Sequence, residues 1–124
     1  MPYINYVEFN VGDVDASRDF YKKVFDWDPQ PWGADDYLLA AHGDEPGIDT
    51  GITPSPDGEP FTVATITVDD IAGYMAKVLV AGGEIVVPRF EIPDIGEACY
   101  FTDPTGMVVG LFQPEVGRQT SEVR

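Results

Sequence analysis

Glu8 is the residue of this chain best placed to do chemistry. It lies in YINYVEFNV, residues 3–11, where side chains alternate: Val7, Phe9 and Val11 share one face, and Tyr6, Glu8 and Asn10 the other. A carboxylate turned into an apolar interior has its pKa raised and can serve as a general base. The competing account is a glutamate held by hydrogen bonds in a structural role, since no acid partner or oxyanion donor is identifiable. His42, the only histidine, sits at a strand end before Gly43-Asp44, a place that suits a solvated loop residue better than a catalyst. Cys99, the only cysteine, stands among Ala98, Tyr100 and Phe101 with no base beside it, and reads as a small buried hydrophobe. Arg89, in VPRFEIP, could meet an anionic ligand group; pairing with Glu91 or Asp94 is the simpler account. Tyr6, Trp32, Tyr37, Phe101 and Phe112 could line a recess for a flat or apolar ligand, or could equally pack in the core. Gly12, Gly33, Gly43 and Gly47 are scattered and form no phosphate loop.

The elements that must position these groups follow from periodicity. After the first strand, Asp13 or Asp15 supplies an N-cap, and Phe20, Val24 and Trp27 recur at helical spacing with Tyr21 and Phe25 beside them. Pro29 and Pro31 rule out continuation of that helix. Short strands are expected near Gln30–Gly33, Tyr37–His42 and Ile48–Thr53, and PSPDGEP (54–60) reads as a linker or turn. The pattern then restarts. FTVATITV (61–68) is a strand, and Asp69 or Asp70 caps a helix with an apolar stripe of Ile71, Tyr74, Met75, Val78 and Leu79. Gly82-Gly83 ends that helix. Strands near Glu84–Val87, Ala98–Thr102 and Met107–Phe112 follow, the last two joined by a tight turn at Asp103-Pro104-Thr105-Gly106. Strand, helix and three strands therefore occur twice. NVGDV (10–14) aligns with TVDDI (67–71), and TGI (50–52) with VGL (109–111). The predicted organisation is a single domain over 1–113, with module one at 3–54, module two at 60–113 and a loose polar tail at 114–124.

A chain of 124 residues with 44% hydrophobic content can bury a real core. A lone cysteine permits no intrachain disulfide, MPYINYVEF shows no signal-peptide pattern, and no apolar run is long enough to span a bilayer. A cytoplasmic location is expected. The 22 acidic and 7 basic residues give a formal net charge of −15. Such a surface repels phosphate backbones and anionic lipid, so neither nucleic acid nor membrane is an expected partner. Adaptation to a high-salt cytoplasm, where screening removes carboxylate repulsion, is one reading of that charge; an ordinary acidic protein is the other.

FNVGDVDASRDFYKKVFDW resembles the opening strand-helix unit of vicinal oxygen chelate proteins, the superfamily of glyoxalases, bleomycin-resistance proteins and dioxygenases. VDDIAGYMAKVLVAGGEIVVPRFEIPDIGEACYFTDPTGMVVGLFQP resembles their second unit, and the likeness covers residues 3–113. Phe20-Tyr21, Val24-Phe25 and the DPTG turn carry it most specifically. Glu8, the AGG helix end and VPRFEIPDIGE resemble a subgroup described as glyoxalase-like or bleomycin-resistance-like. The resemblance implies an α+β fold of two βαβββ modules whose mixed sheet forms a cup for a small molecule, and a homodimer.

In the metalloenzymes of that superfamily each module contributes two metal ligands. Carried over one at a time, these positions fall at Tyr6, Gly51, Val63 and Gly110, none of which is His, Asp, Glu, Gln or Cys. A catalytic divalent metal typically needs three protein ligands. Glu8 and Asp49 each lie two residues from an empty position, displaced roughly 6–7 Å along the same strand face. Module two offers only Thr65, Thr67, Val108 and Phe112 on matching faces, which leaves any displaced metal site short of ligands. The expectation is therefore a domain with no metal or other cofactor that binds an unidentified small molecule through Tyr6, Glu8, Trp32, Tyr37, Thr65, Arg89, Phe101 and Phe112. The alternative is a lyase, isomerase or dioxygenase using Glu8 or a displaced metal. An accessory module that acts through its dimer surface is the third.

Overall fold

A computed structural model describes residues 1–115. The chain divides into two compact units, Asn5–Ala64 and the stretch from Thr65 onward together with Met1–Ile4.

The first unit carries most of β1 (Tyr3–Val11), then α1 (Val14–Phe25), β2 (Gln30–Ala34), β3 (Tyr37–Ala40) and β4 (Asp49–Pro54). Its strands lie in the order β2-β3-β4-β1, with β1 and β4 parallel and the other pairs antiparallel. Asp13 is the N-cap of α1, and its Oδ1 accepts from the Ala16 N–H at 3.0 Å. The helix stops sooner than its apolar spacing suggests. Asp26 takes a left-handed conformation (φ 61°) and donates its N–H to the Lys22 carbonyl, so Trp27 lies beyond the helix and folds back to stack on Tyr21 at 5.5 Å. The expected buried stripe is correspondingly open: no residue of α1 is buried, and Phe20, Val24 and Phe25 are 53–58% exposed. Tyr21 joins helix to sheet through the Phe9 ring, 5.7 Å away. In register, Phe9 pairs with Ile52 and Ile52 with Leu38, so the helix-side face of the sheet is an apolar row. PSPDGEP is the predicted turn, with Gly58 N–H donating to the Ser55 carbonyl.

β5 (Phe61–Thr67) crosses the boundary between the units. The second unit continues with α2 (Ile71–Val80), β6 (Glu84–Ile92), β7 (Gly96–Thr102) and β8 (Val108–Pro114). Its order, β5-β8-β7-β6, repeats the parallel-then-antiparallel scheme of the first. The predicted α+β fold of two βαβββ modules is the one observed. Asp70 caps α2, and the Gln113 side chain receives the Ile71 N–H at 2.8 Å. Gly82 (φ +99°) and Gly83 close the helix, the Gly83 N–H reaching back to the Val78 carbonyl. Val68, Ile71, Cys99 and Leu111 form the buried core, with Ile66, Tyr74, Met75 and Phe101 packed on it. Leu79, predicted on the buried stripe, is exposed. β6 runs through Pro88 to Ile92, well past the expected end at Val87. It lies last in the strand order and its register shifts on either side of Val87, conditions under which a proline is tolerated. β8 extends to Pro114, and the Glu115 N–H donates to the Ile95 carbonyl, so the chain is still structured where the tail was expected to begin. The rest of that predicted tail, 116–124, lies outside the described residues.

Candidate functional site

The face of β1 opposite Phe9 is polar, yet it is buried. Glu8 and Asn10 are only 7% and 6% exposed, and strand alternation places Tyr6 on the same side. Register partners share a face, so Glu8, Gly51 and Leu39 form one row, Tyr6 and Asp49 another, and Tyr37 lies two residues along β3 from Leu39. The result is a continuous chain of hydrogen bonds. Asn10 Nδ2 donates to Glu8 Oε1 at 3.4 Å, the Tyr37 hydroxyl donates to Glu8 Oε2 at 2.8 Å, and the Tyr6 and Tyr37 hydroxyls are hydrogen-bonded to each other. Trp32 lies beside this chain, its ring 5.9 Å from that of Tyr37.

Gly51 makes the arrangement possible. A Cβ at that position would overlap both the Tyr6 and the Tyr37 hydroxyl oxygens. The two phenols thus take the space into which a ligand side chain at position 51 would project. Burial pushes the Tyr6 phenol up to about 12; the Tyr37 hydroxyl opposes the rise, and the charges of Glu8 and Asp49 add to it. Burial, together with the Tyr6 hydroxyl and Glu8, pushes Tyr37 higher still. Both phenols therefore hold their protons more firmly than an ordinary tyrosine.

The residues at the four positions that the resemblance marks for metal ligands do not suit a divalent cation. The Tyr6 hydroxyl is engaged by that of Tyr37, Gly51 has no side chain, and Val63 is a buried hydrophobe. Gly110 faces Thr65 across the β5–β8 register, where a Cβ would stand 2.8 Å from Thr65 Oγ1. Of the displaced pair, Glu8 is bound by Tyr37 and Asn10, while Asp49 Oδ1 accepts the His42 backbone N–H at 3.0 Å and lies 3.6 Å from His42 Nε2. Among the described residues, no group of three or more His, Cys, Asp or Glu is gathered so as to hold a metal ion.

Four of the eight residues expected to bind a ligand, Tyr6, Glu8, Trp32 and Tyr37, thus come together in the first unit. The other four belong to the second unit and do not form one group. Thr65 packs at Gly110, and Phe112 lies on the same sheet face with its ring against Gly96. Phe101 packs on the Cys99–Leu111 core, because its place on β7 puts it on the Cys99 face. Arg89 pairs with Glu97 at 2.9 Å across β6–β7, in place of the expected Glu91 or Asp94. His42 is exposed, its Nδ1 2.9 Å from the Glu45 carbonyl oxygen. Cys99 is wholly buried, and burial raises its thiol above the ordinary range. Sequence reasoning missed Asn10 as a site residue, although alternation already set it beside Glu8. It also missed Gly51 as a space-maker: its position was noted only for the side chain it lacks.

The model of the Glyoxalase/Bleomycin resistance protein/Dioxygenase superfamily matches residues 3–111, and the chain belongs to that superfamily. Two mycobacterial relatives, the provisionally named glyoxylase CFP32 of Mycobacterium bovis and of Mycobacterium tuberculosis, are each 35% identical to it over 118 residues. Those alignments take in 88% of this chain and 44% of each relative, so the chain spans less than half the length of the curated relatives it matches. Among solved structures, the Mn(II)-bound glyoxalase of Novosphingobium aromaticivorans superposes with a TM-score of 0.65 at 23% identity, covering 89% of this chain and 38% of that one. Methylmalonyl-CoA epimerase of Mycobacterium tuberculosis gives 0.61 at 12% identity, covering 94% and 91%. These likenesses establish the fold. No helix among the described residues is long and apolar enough to cross a membrane.

Proposed function

We propose that this domain binds a small molecule without a metal ion, at the polar face of the first unit built from Tyr6, Glu8, Asn10 and Tyr37. The observation that carries this reading is the occupation of the Gly51 space by two hydroxyls hydrogen-bonded in line with Glu8. On the carry-over from the resemblance, position 51 is one at which a metal-dependent relative would bear a ligand. Here the space at that position holds hydrogen-bonding hydroxyls, which suit a polar organic ligand with Trp32 beside them. Thr65, Arg89, Phe101 and Phe112, named with these residues from the sequence, have no part in this reading. A homodimer and a cytoplasmic setting belong to the same proposal, on family grounds.

The second reading is an enzyme of the class, a lyase, isomerase or dioxygenase with Glu8 as base. The name of the CFP32 relatives favours it, as does the burial of Glu8. An assay separates the two: turnover of a hemithioacetal and of a catechol, each with and without added zinc, nickel, iron or manganese. Ligand binding with no turnover under any condition agrees with the binding reading. Metal-dependent turnover overturns it, and metal-independent turnover abolished by Glu8→Gln assigns the chemistry to Glu8.

A further inference from the structure

The hydrogen-bond chain in the first unit has a direction, and that direction selects the ligand. Both Glu8 carboxylate oxygens accept, one from Asn10 Nδ2 and one from the Tyr37 hydroxyl. A phenol has one proton to donate, and Tyr37 commits its proton to Glu8. The proton between the two phenols therefore belongs to Tyr6, and the sequence of donors runs Tyr6 to Tyr37 to Glu8. Tyr6, a half-buried residue, is left with an oxygen that can only accept. We infer that this site, taken as the binding site proposed above, receives its ligand through a hydrogen-bond donor, a hydroxyl or amine on a flat ring, placed on the Tyr6 oxygen.

Two further observations agree. Glu8 and Asp49 both bear electrostatically on Tyr6, Asp49 being its register partner on β4, so an anionic group at the same oxygen meets two negative charges. The Trp32–Tyr37 ring pair supplies aromatic surface beside the chain, which suits a planar ligand. A carboxylate is disfavoured on both counts: ionised, it brings no proton for the Tyr6 oxygen, and it brings the wrong charge.

The test is a titration of the 15N-labelled full chain with three ring compounds of similar size, followed by amide shifts in β1, β3 and β4. Phenol carries a donor, anisole is its methyl ether with none, and benzoate is an anion. Phenol is expected to bind about three- to tenfold more tightly than anisole, the worth of one neutral hydrogen bond, with benzoate weakest. Tyr6→Phe should bring phenol down to the level of anisole. Tyr37→Phe should act differently. With no acceptor at Tyr37, the Tyr6 proton is released, Tyr6 becomes a donor, and the preference for phenol over anisole collapses while binding persists. A role for Tyr37 in support alone would lower all three affinities together. If anisole equals phenol in the wild type, or benzoate binds best, the donor rule is wrong while small-molecule binding stands. If none of the three perturbs β1, β3 or β4, the binding reading fails and this inference with it.

Discussion

Replacing Tyr37 by phenylalanine removes one oxygen atom and, on this structure, breaks two bonds at once. The donor to Glu8 at 2.8 Å is lost, and so is the acceptor for the Tyr6 proton. A hydrogen bond to a charged group contributes roughly 1.5–3 kcal/mol, and Glu8 is too buried to recruit water freely, keeping Asn10 Nδ2 at 3.4 Å. Tyr37→Phe should therefore cost about 2–3 kcal/mol. Tyr6→Phe removes only the neutral outer link and should cost about 0.5–1.5 kcal/mol. Because Tyr6 acts through Tyr37, the two costs should not add: in the double variant the second substitution costs less than it does alone, a coupling of about 0.5–1.5 kcal/mol. The assay is urea unfolding of the four proteins by fluorescence and circular dichroism. With a slope of about 2 kcal/mol/M, Tyr37→Phe should lower the midpoint by about 1–1.5 M. A cost within the roughly 0.5 kcal/mol of an ordinary surface change, together with strict additivity, would refute the claim that these hydroxyls form one chain ending on Glu8.

Gly51→Ala should destabilise by about 1–3 kcal/mol through overlap with the two hydroxyls, and Tyr6→Phe should restore part of that loss in the same unfolding assay. Tyr6 is raised from 10.0 to about 12, so its contribution to stability is complete below pH 10 and is lost as pH rises through 12. Ultraviolet titration should accordingly show two phenolates that appear only above the ordinary tyrosine range, and both should be lost from that late phase in the Tyr6→Phe, Tyr37→Phe double variant. Asp103 accepts from the Thr105 hydroxyl (2.6 Å), the Met107 N–H (3.0 Å) and the Thr105 N–H (2.8 Å), which hold its carboxyl below the usual range. The turn it ties is thus supported above about pH 4 and released as pH falls through the lowered value; Asp103→Ala should destabilise at neutral pH, with the difference from wild type vanishing in strong acid. With a net charge of −15, the thermal midpoint should rise between about 0.1 and 1 M potassium chloride as the screening length falls from about 10 to about 3 Å.

The doubled strand-helix-strand pattern was legible because each helix opens on an aspartate cap and each module repeats the same spacing; of the candidates Asp13 or Asp15 and Asp69 or Asp70, the structure uses Asp13 and Asp70. Boundaries failed where a backbone conformation, invisible in the hydrophobic pattern, intervened. Asp26 in the left-handed region ends α1 before Trp27, and the register shifts around Val87 carry β6 past Pro88. Glu8 was readable from alternation alone, since a period of two settles which face it takes. Its engagement by Tyr37 was not, because it depends on the β3–β4 register and on the missing Cβ of Gly51, both long-range facts. Phe101 shows the converse case: it was grouped with cup-lining aromatics by residue type, whereas its parity with Cys99 on β7 already assigns it to the core.

The hydroxyls of Tyr6 and Tyr37 fill the Gly51 space of the first unit, and the ligand binding proposed there needs no cation. Metal content of the purified protein, after incubation with zinc, nickel, iron and manganese and removal of the excess, tests that most directly. No near-stoichiometric metal is expected in the wild type, and no difference in Glu8→Ala. One equivalent of metal retained by the wild type and lost in Glu8→Ala would contradict that expectation.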